Sequence, residues 1–234
     1  MRSDKYLRLR TDRGFPVLVG LLWLAWTLVI YGCLTSVASG RRIGLLKLLI
    51  MTLTSQHQEL FFLLPCSIGG WLLFFQPPTA LELPYLVNAR RLRPLLGQYI
   101  WRWLTLYLIS ICSACVVLGL FNPRVTWDGH DWGLALILLL GHWMGSVICW
   151  LTLGLLTILW RRTLAVLVWV LLILADQWLF GRWGWSVFLT NGLTLGSRQY
   201  GVNLFTNLCL YGAYIGLLIS ALRPAMMRQG RRLP

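Results

Sequence analysis

Ionisable side chains set inside long apolar runs are the residues of this sequence with the most chemistry to offer. Asp176, followed by Gln177, stands near the end of a run from about Leu164 to Phe180. His142 interrupts the run from Gly133 to Leu159, Asn203 and Asn207 lie between Gly201 and Leu222, and Glu59 opens a run that ends at Gln76. In hydrocarbon such groups are expensive, so each implies a polar cavity, a proton path or a hydrogen bond to a neighbouring helix. The asparagines read first as interhelical glue, whereas Asp176 is balanced between glue and the lining of a vestibule. Cys112 and Cys115 form a CxxC, but mid-run and without a second pair or an adjacent histidine they read as small hydrophobes. There is no HExxH, no GxSxG and no pair of acids at helical spacing within one run. No catalytic residue, metal ligand or cofactor is therefore expected of this chain.

The elements that must position these residues are membrane spans. Of 234 residues, 58% are hydrophobic and 12% charged, against about 25% charged in soluble domains. A span needs about 20 mostly apolar residues. Six such runs are expected, at about 15–38, 59–76, 99–121, 133–159, 164–180 and 201–222. The fold class is all-α: one polytopic transmembrane domain spanning residues 1–234, with no internal repeat and no soluble domain. Fourteen tryptophans agree, because indole rings favour the bilayer interface. Residues 40–58 are less regular. Ile43, Leu46, Ile50 and Leu53 share one helical face while Arg41, Arg42 and Lys47 interrupt it. That pattern predicts an interfacial helix outside the membrane, or else the lead-in to a long second span.

The net charge is +14. The cations gather at span ends, which points to phospholipid rather than nucleic acid. Fifteen Lys and Arg fall on the side holding both termini and six on the other, so both termini are expected in the cytoplasm. The GxxxG pairs Gly141/Gly145 and Gly212/Gly216 are expected to serve internal packing before dimerisation.

The connector from Pro77 to Gln98 carries the densest pattern. Thr79 and Glu82 suit a capping box. Tyr85, Ala89 and Leu92 share one face, and Arg90, Arg91 and Arg93 crowd the far end, where cations complement the helix dipole. Pro94 is expected to break the chain before the next span. The pattern predicts a short amphipathic cytoplasmic helix between spans two and three. Such a helix either rests on lipid or docks into a partner protein.

The segment LELPYLVNARRLRPLLGQYIWRWL, following span two, resembles the corresponding region of ABC-2-type transporter permeases. It is most similar to that of the small six-span permeases of bacteriocin export and immunity systems. The late loop and last span, FLTNGLTLGSRQYG into VNLFTNLCLYGAYIGLLISAL, are similar to that family too. The resemblance implies a permease subunit of an exporter in the cell membrane. It implies a partner ABC ATPase subunit carrying ATP and Mg, and a second permease subunit, identical or different. It further implies that Glu82, Tyr85, Leu86, Ala89, Arg90, Arg91 and Arg93 couple to the ATPase. The chain itself has no GxxxxGK[ST] loop and so is not the ATPase. A non-transporting immunity or scaffold protein is the alternative, and an intramembrane enzyme a more distant one.

Overall fold

The computed structural model describes residues 11–37, 41–53, 64–65, 68–69, 92–127, 132–183 and 200–230. Among them are six helices and two very short strands: α1 (Thr11–Ser36), β1 (Ile43–Gly44), α2 (Leu45–Leu53), α3 (Leu92–Phe121), β2 (Val125–Thr126), α4 (Trp132–Leu159), α5 (Arg162–Trp183) and α6 (Tyr200–Gly230). Three helices are long and apolar enough to cross a membrane, over Val19–Ser36, Trp132–Leu159 and Arg162–Leu179. Two shorter apolar stretches, Leu108–Phe121 and Leu208–Leu222, belong to α3 and α6. The expected second span at 59–76 lies outside the described residues apart from 64–65 and 68–69.

The helices sort by how their apolar residues are used. α1 buries one stripe, Leu22, Trp26, Ile30 and Leu34, and turns Leu21, Leu24 and Leu28 outward. α5 does the same with Ala165, Trp169, Ile173 and Asp176 inward and Leu167, Leu171 and Leu174 outward. In water the exposed leucines would be a liability, whereas hydrocarbon accommodates them. α4 differs: every residue from Gly145 to Gly154 is buried. A helix buried on all faces is the core element of a bundle. It packs against α2, α3, α5 and, most extensively, α6. Gly141 and Gly145 are buried on this hub, as internal packing requires. Gly212 faces Met144 at van der Waals distance, but Gly216 opens onto empty space. The second GxxxG is therefore only half used inside the bundle.

Several hydroxyl groups turn back onto their own helix. Thr27, Thr52, Ser146 and Thr152 each donate to the carbonyl four residues back, at 2.8–2.9 Å. This is how a helix in an apolar environment satisfies a side-chain donor without water.

Residues 41–53 correct one expectation. Their helix does not rest on the surface. Leu46, Leu48, Leu49, Ile50, Thr52 and Leu53 of α2 are all buried, and α2 packs against α1, α3 and α4. The four residues assigned to one face are indeed buried, but burial extends well around the helix. The short parallel pairing of β1 with β2 sets its entry, in the register Ile43↔Val125 and Gly44↔Thr126. The Ile43 N–H donates to the Arg124 carbonyl at 2.9 Å. Gly119 lets the two elements meet, because a Cβ there would stand 3.0 Å from Leu45 Cδ1. Since α1 and α3 pack together and their following segments pair in parallel, the two helices run in the same direction.

One proline expectation is also corrected. α3 begins at Leu92, seven residues before Tyr99, so Leu92 and Arg93 belong to its first turn. Pro94 then falls in the first turn, where its missing N–H has no helical partner to lose. At the other terminus α6 runs to Gly230 through Pro224 instead of stopping at Leu222.

Candidate functional site

Asp176 is the best-placed polar side chain among the described residues. It stands on the inward stripe of α5, two turns beyond Trp169, and is 1% exposed. Fourteen residues separate it from the start of α5, about 21 Å along the axis. α5 and α6 both pack on α4, and Tyr214 of α6 lies within electrostatic reach of both Asp176 and Cys149 of α4. A carboxyl, a phenol and a thiol from three helices thus face a common region. Gln177, beside the carboxyl, is half-buried. Tyr214 is the residue that sequence reasoning missed. Its signal was present: Tyr211 and Tyr214 stand mid-run, whereas tyrosines in spans favour the ends.

His142 is fully buried on α4, and its Nε2 contacts the carbonyl oxygen of Leu53, the last residue of α2. A carbonyl only accepts, so Nε2 carries the proton. Ser146, one turn on, returns its hydroxyl to the His142 carbonyl at 2.9 Å. This histidine thus pins the end of α2 to the hub, which gives it a structural task.

A third polar group gathers where α1, α2 and α3 meet. Cys33 of α1 is hydrogen-bonded to Thr52 of α2, and both Cys33 and Cys112 lie within electrostatic reach of Cys115 on α3. All three are free thiols. Among the described residues no group of His, Cys, Asp or Glu is arranged to hold a metal ion.

Asn203 and Asn207 occupy the opening turns of α6, and Arg93 the opening turn of α3. Glu59, Glu82, Tyr85, Leu86, Ala89, Arg90 and Arg91 lie outside the described residues. Among the described residues, the structure therefore brings Asp176 within electrostatic reach of Tyr214 and His142 to α2.

A comparison with protein-family models finds no match to this chain, and comparisons with curated proteins and with solved structures find none.

Proposed function

We propose that this chain is the membrane-spanning permease subunit of an ABC-2-type exporter. In this reading it crosses the plasma membrane six times with both termini in the cytoplasm. It pairs with a second permease subunit and moves a peptide or another amphipathic substrate. ATP hydrolysis on a separate ATPase subunit supplies the energy. One observation carries the reading: the connector pattern of Glu82, Tyr85, Arg90, Arg91 and Arg93, leading straight into the thirty-residue helix α3.

In this reading the pattern has a mechanical use. A transmitting element must lie on the cytoplasmic face, be stiff and connect directly to a helix that moves. With α3 starting at Leu92, no flexible linker separates Arg91 from the helix. A displacement at its start reaches its far end, where β2 pairs with β1 and so bears on α2. The Tyr85, Leu86 and Ala89 surface would fill a groove on the ATPase, with the aromatic ring as anchor. Arg90, Arg91 and Arg93 would set the register against acidic groups there.

The test is co-purification of the chain with the products of neighbouring genes, with ATPase activity measured on the assembly. Tyr85→Ala is expected to lower ATPase recovery or to uncouple hydrolysis from transport, while membrane insertion survives because no span is touched. Unchanged ATPase binding and transport in Tyr85→Ala would leave a connector that only rests on lipid, and the coupling role would be abandoned.

A further inference from the structure

The pairing of β1 with β2 gathers cations from two segments about eighty residues apart in sequence. Arg41 and Arg42 precede Ile43, Arg124 precedes Val125, and Lys47 lies in the first turn of α2. All four side chains are exposed. Extending the register by one residue sets Arg42 opposite Arg124, at the strand spacing of about 4.8 Å. Like charges placed directly opposite destabilise a pairing, and none of these four cations has an acidic partner among the described residues. Asp128 and Asp131 follow in the same loop as Arg124, and two acids against four cations leave the patch positive. Cytoplasmic attraction does not account for it. On the proposed topology these are four of only six cations on the outer side. Large apolar rings border the patch: Phe121, Trp127 and Trp132 are 83%, 60% and 61% exposed at this end of the bundle. Exposed Trp and Phe beside snorkelling cations match the depth of a lipid headgroup, where rings meet the acyl boundary and cations meet phosphate.

We infer that Arg41, Arg42, Lys47 and Arg124 form a binding site for the phosphate of an anionic phospholipid in the outer leaflet, closed by the β1–β2 pairing. The arginines suit a phosphodiester because the guanidinium fork presents parallel N–H donors. Occupancy would relieve the repulsion between Arg42 and Arg124 and so steady the entry to α2. The site rests on the membrane reading above but not on the ATPase partnership.

The experiment reconstitutes the full chain in nanodiscs containing equal phosphatidylglycerol and phosphatidylcholine, then counts retained lipids by native mass spectrometry. The native chain is expected to enrich phosphatidylglycerol. The variant Arg41→Gln/Arg42→Gln/Lys47→Gln/Arg124→Gln is expected to lose that enrichment, and Arg124→Gln alone to lower it about fivefold. Arg161→Gln, at the opposite end of α4, is expected to leave it unchanged. Because the four side chains are exposed, the variants should remain monodisperse, and the single variant serves if the fourfold one does not. An equal lipid ratio in the native chain and the patch variants would overturn the site. Displacement of phosphatidylglycerol by millimolar inorganic phosphate would also overturn it, since the patch would then take a soluble anion. A chain that fails to enter nanodiscs at all would remove the membrane reading and the site together.

Discussion

Two buried polar residues, His142 and Asp176, make opposite demands on the helices around them. His142 ties two helices together: its Nε2–H meets the Leu53 carbonyl of α2. Removing the imidazole takes that buried hydrogen bond away, a loss of about 1 kcal/mol. His142→Leu should therefore lower the melting temperature of the purified chain by several degrees, and His142→Gln, which keeps a donor, should recover part of the drop. Equal melting temperatures for the native chain and His142→Leu would show that the contact contributes nothing. Asp176 lies on α5 and is 1% exposed. It brings a carboxyl to Tyr214 across two helices that share α4 as their support, and a carboxyl kept in an apolar bundle has a task that offsets its desolvation. Asp176→Asn is expected to impair transport or complex stability more than Asp128→Asn, which lies in a polar loop. Tyr214→Phe should do the same to a lesser degree, and the two changes combined should cost less than their sum, because they remove one interaction. Negligible and equal effects of Asp176→Asn and Asp128→Asn in a transport assay would reduce Asp176 to a passive side chain. The sequence exposed Asp176 and His142 because charge and polarity stand out in apolar runs. It hid the Leu53 carbonyl, which no residue type announces, and marked Tyr214 only by its mid-run position.

At the level of elements, what the sequence revealed depended on length. Runs such as Gly133–Leu159 exceed the thickness of a bilayer and have no soluble alternative, so α4 appears within one residue of its expected start. α2 is nine residues long and carries Lys47 on an otherwise apolar turn. The same composition suits a helix on lipid or one wedged among others. The decision came from a contact distant in sequence, the β1–β2 pairing, which two residues per strand cannot announce. Pro94 misled for a related reason: a proline ends one helix and opens the next equally well, and only the start of α3 distinguishes the cases. The wedge makes its own prediction. Ile43 and Val125 are register partners, so the double variant Ile43→Cys/Val125→Cys should form an intramolecular cross-link under mild oxidation. Ile43→Cys paired with Trp132→Cys should form none. Gly119 is the companion test. Alanine there asks only the end of the Leu45 side chain to yield, whereas Gly119→Leu cannot fit between α3 and α2. Protein yield or melting temperature should therefore fall sharply for leucine and little for alanine. Cross-linking that is absent between positions 43 and 125 would dismantle the wedge.

For the whole molecule, direction can be argued from helices and charges separately. α1 and α3 run the same way and end at the β1–β2 pairing. α4 starts five residues beyond Trp127, hence at that same end, and finishes beside Trp160, Arg161 and Arg162. Trp132 opens this helix and Trp160 follows its last residue, 28 positions on, about 42 Å, which matches a bilayer with its headgroup layers. α5 returns from the arginine end. The starts of α1, α3 and α5 and the finish of α4 thus share one end of the bundle. Fifteen of 21 Lys and Arg fall on the side of Arg161 and Arg162 when the expected spans are followed. On the proposed topology the positive-inside rule puts that side in the cytoplasm. The four-cation patch does not overturn this, because orientation follows the overall bias and the patch adds only four charges to the opposite side. The expected outcome is concrete. Single cysteines at Ser3 and Gln229, each in a background lacking the native thiols, should resist a membrane-impermeant maleimide applied to intact cells. Cysteines at Gly129 and Gly192 should react with it. Labelling of both Ser3→Cys and Gln229→Cys from outside would invert the molecule. It would place the connector away from any cytoplasmic ATPase and end the proposed coupling along with the topology.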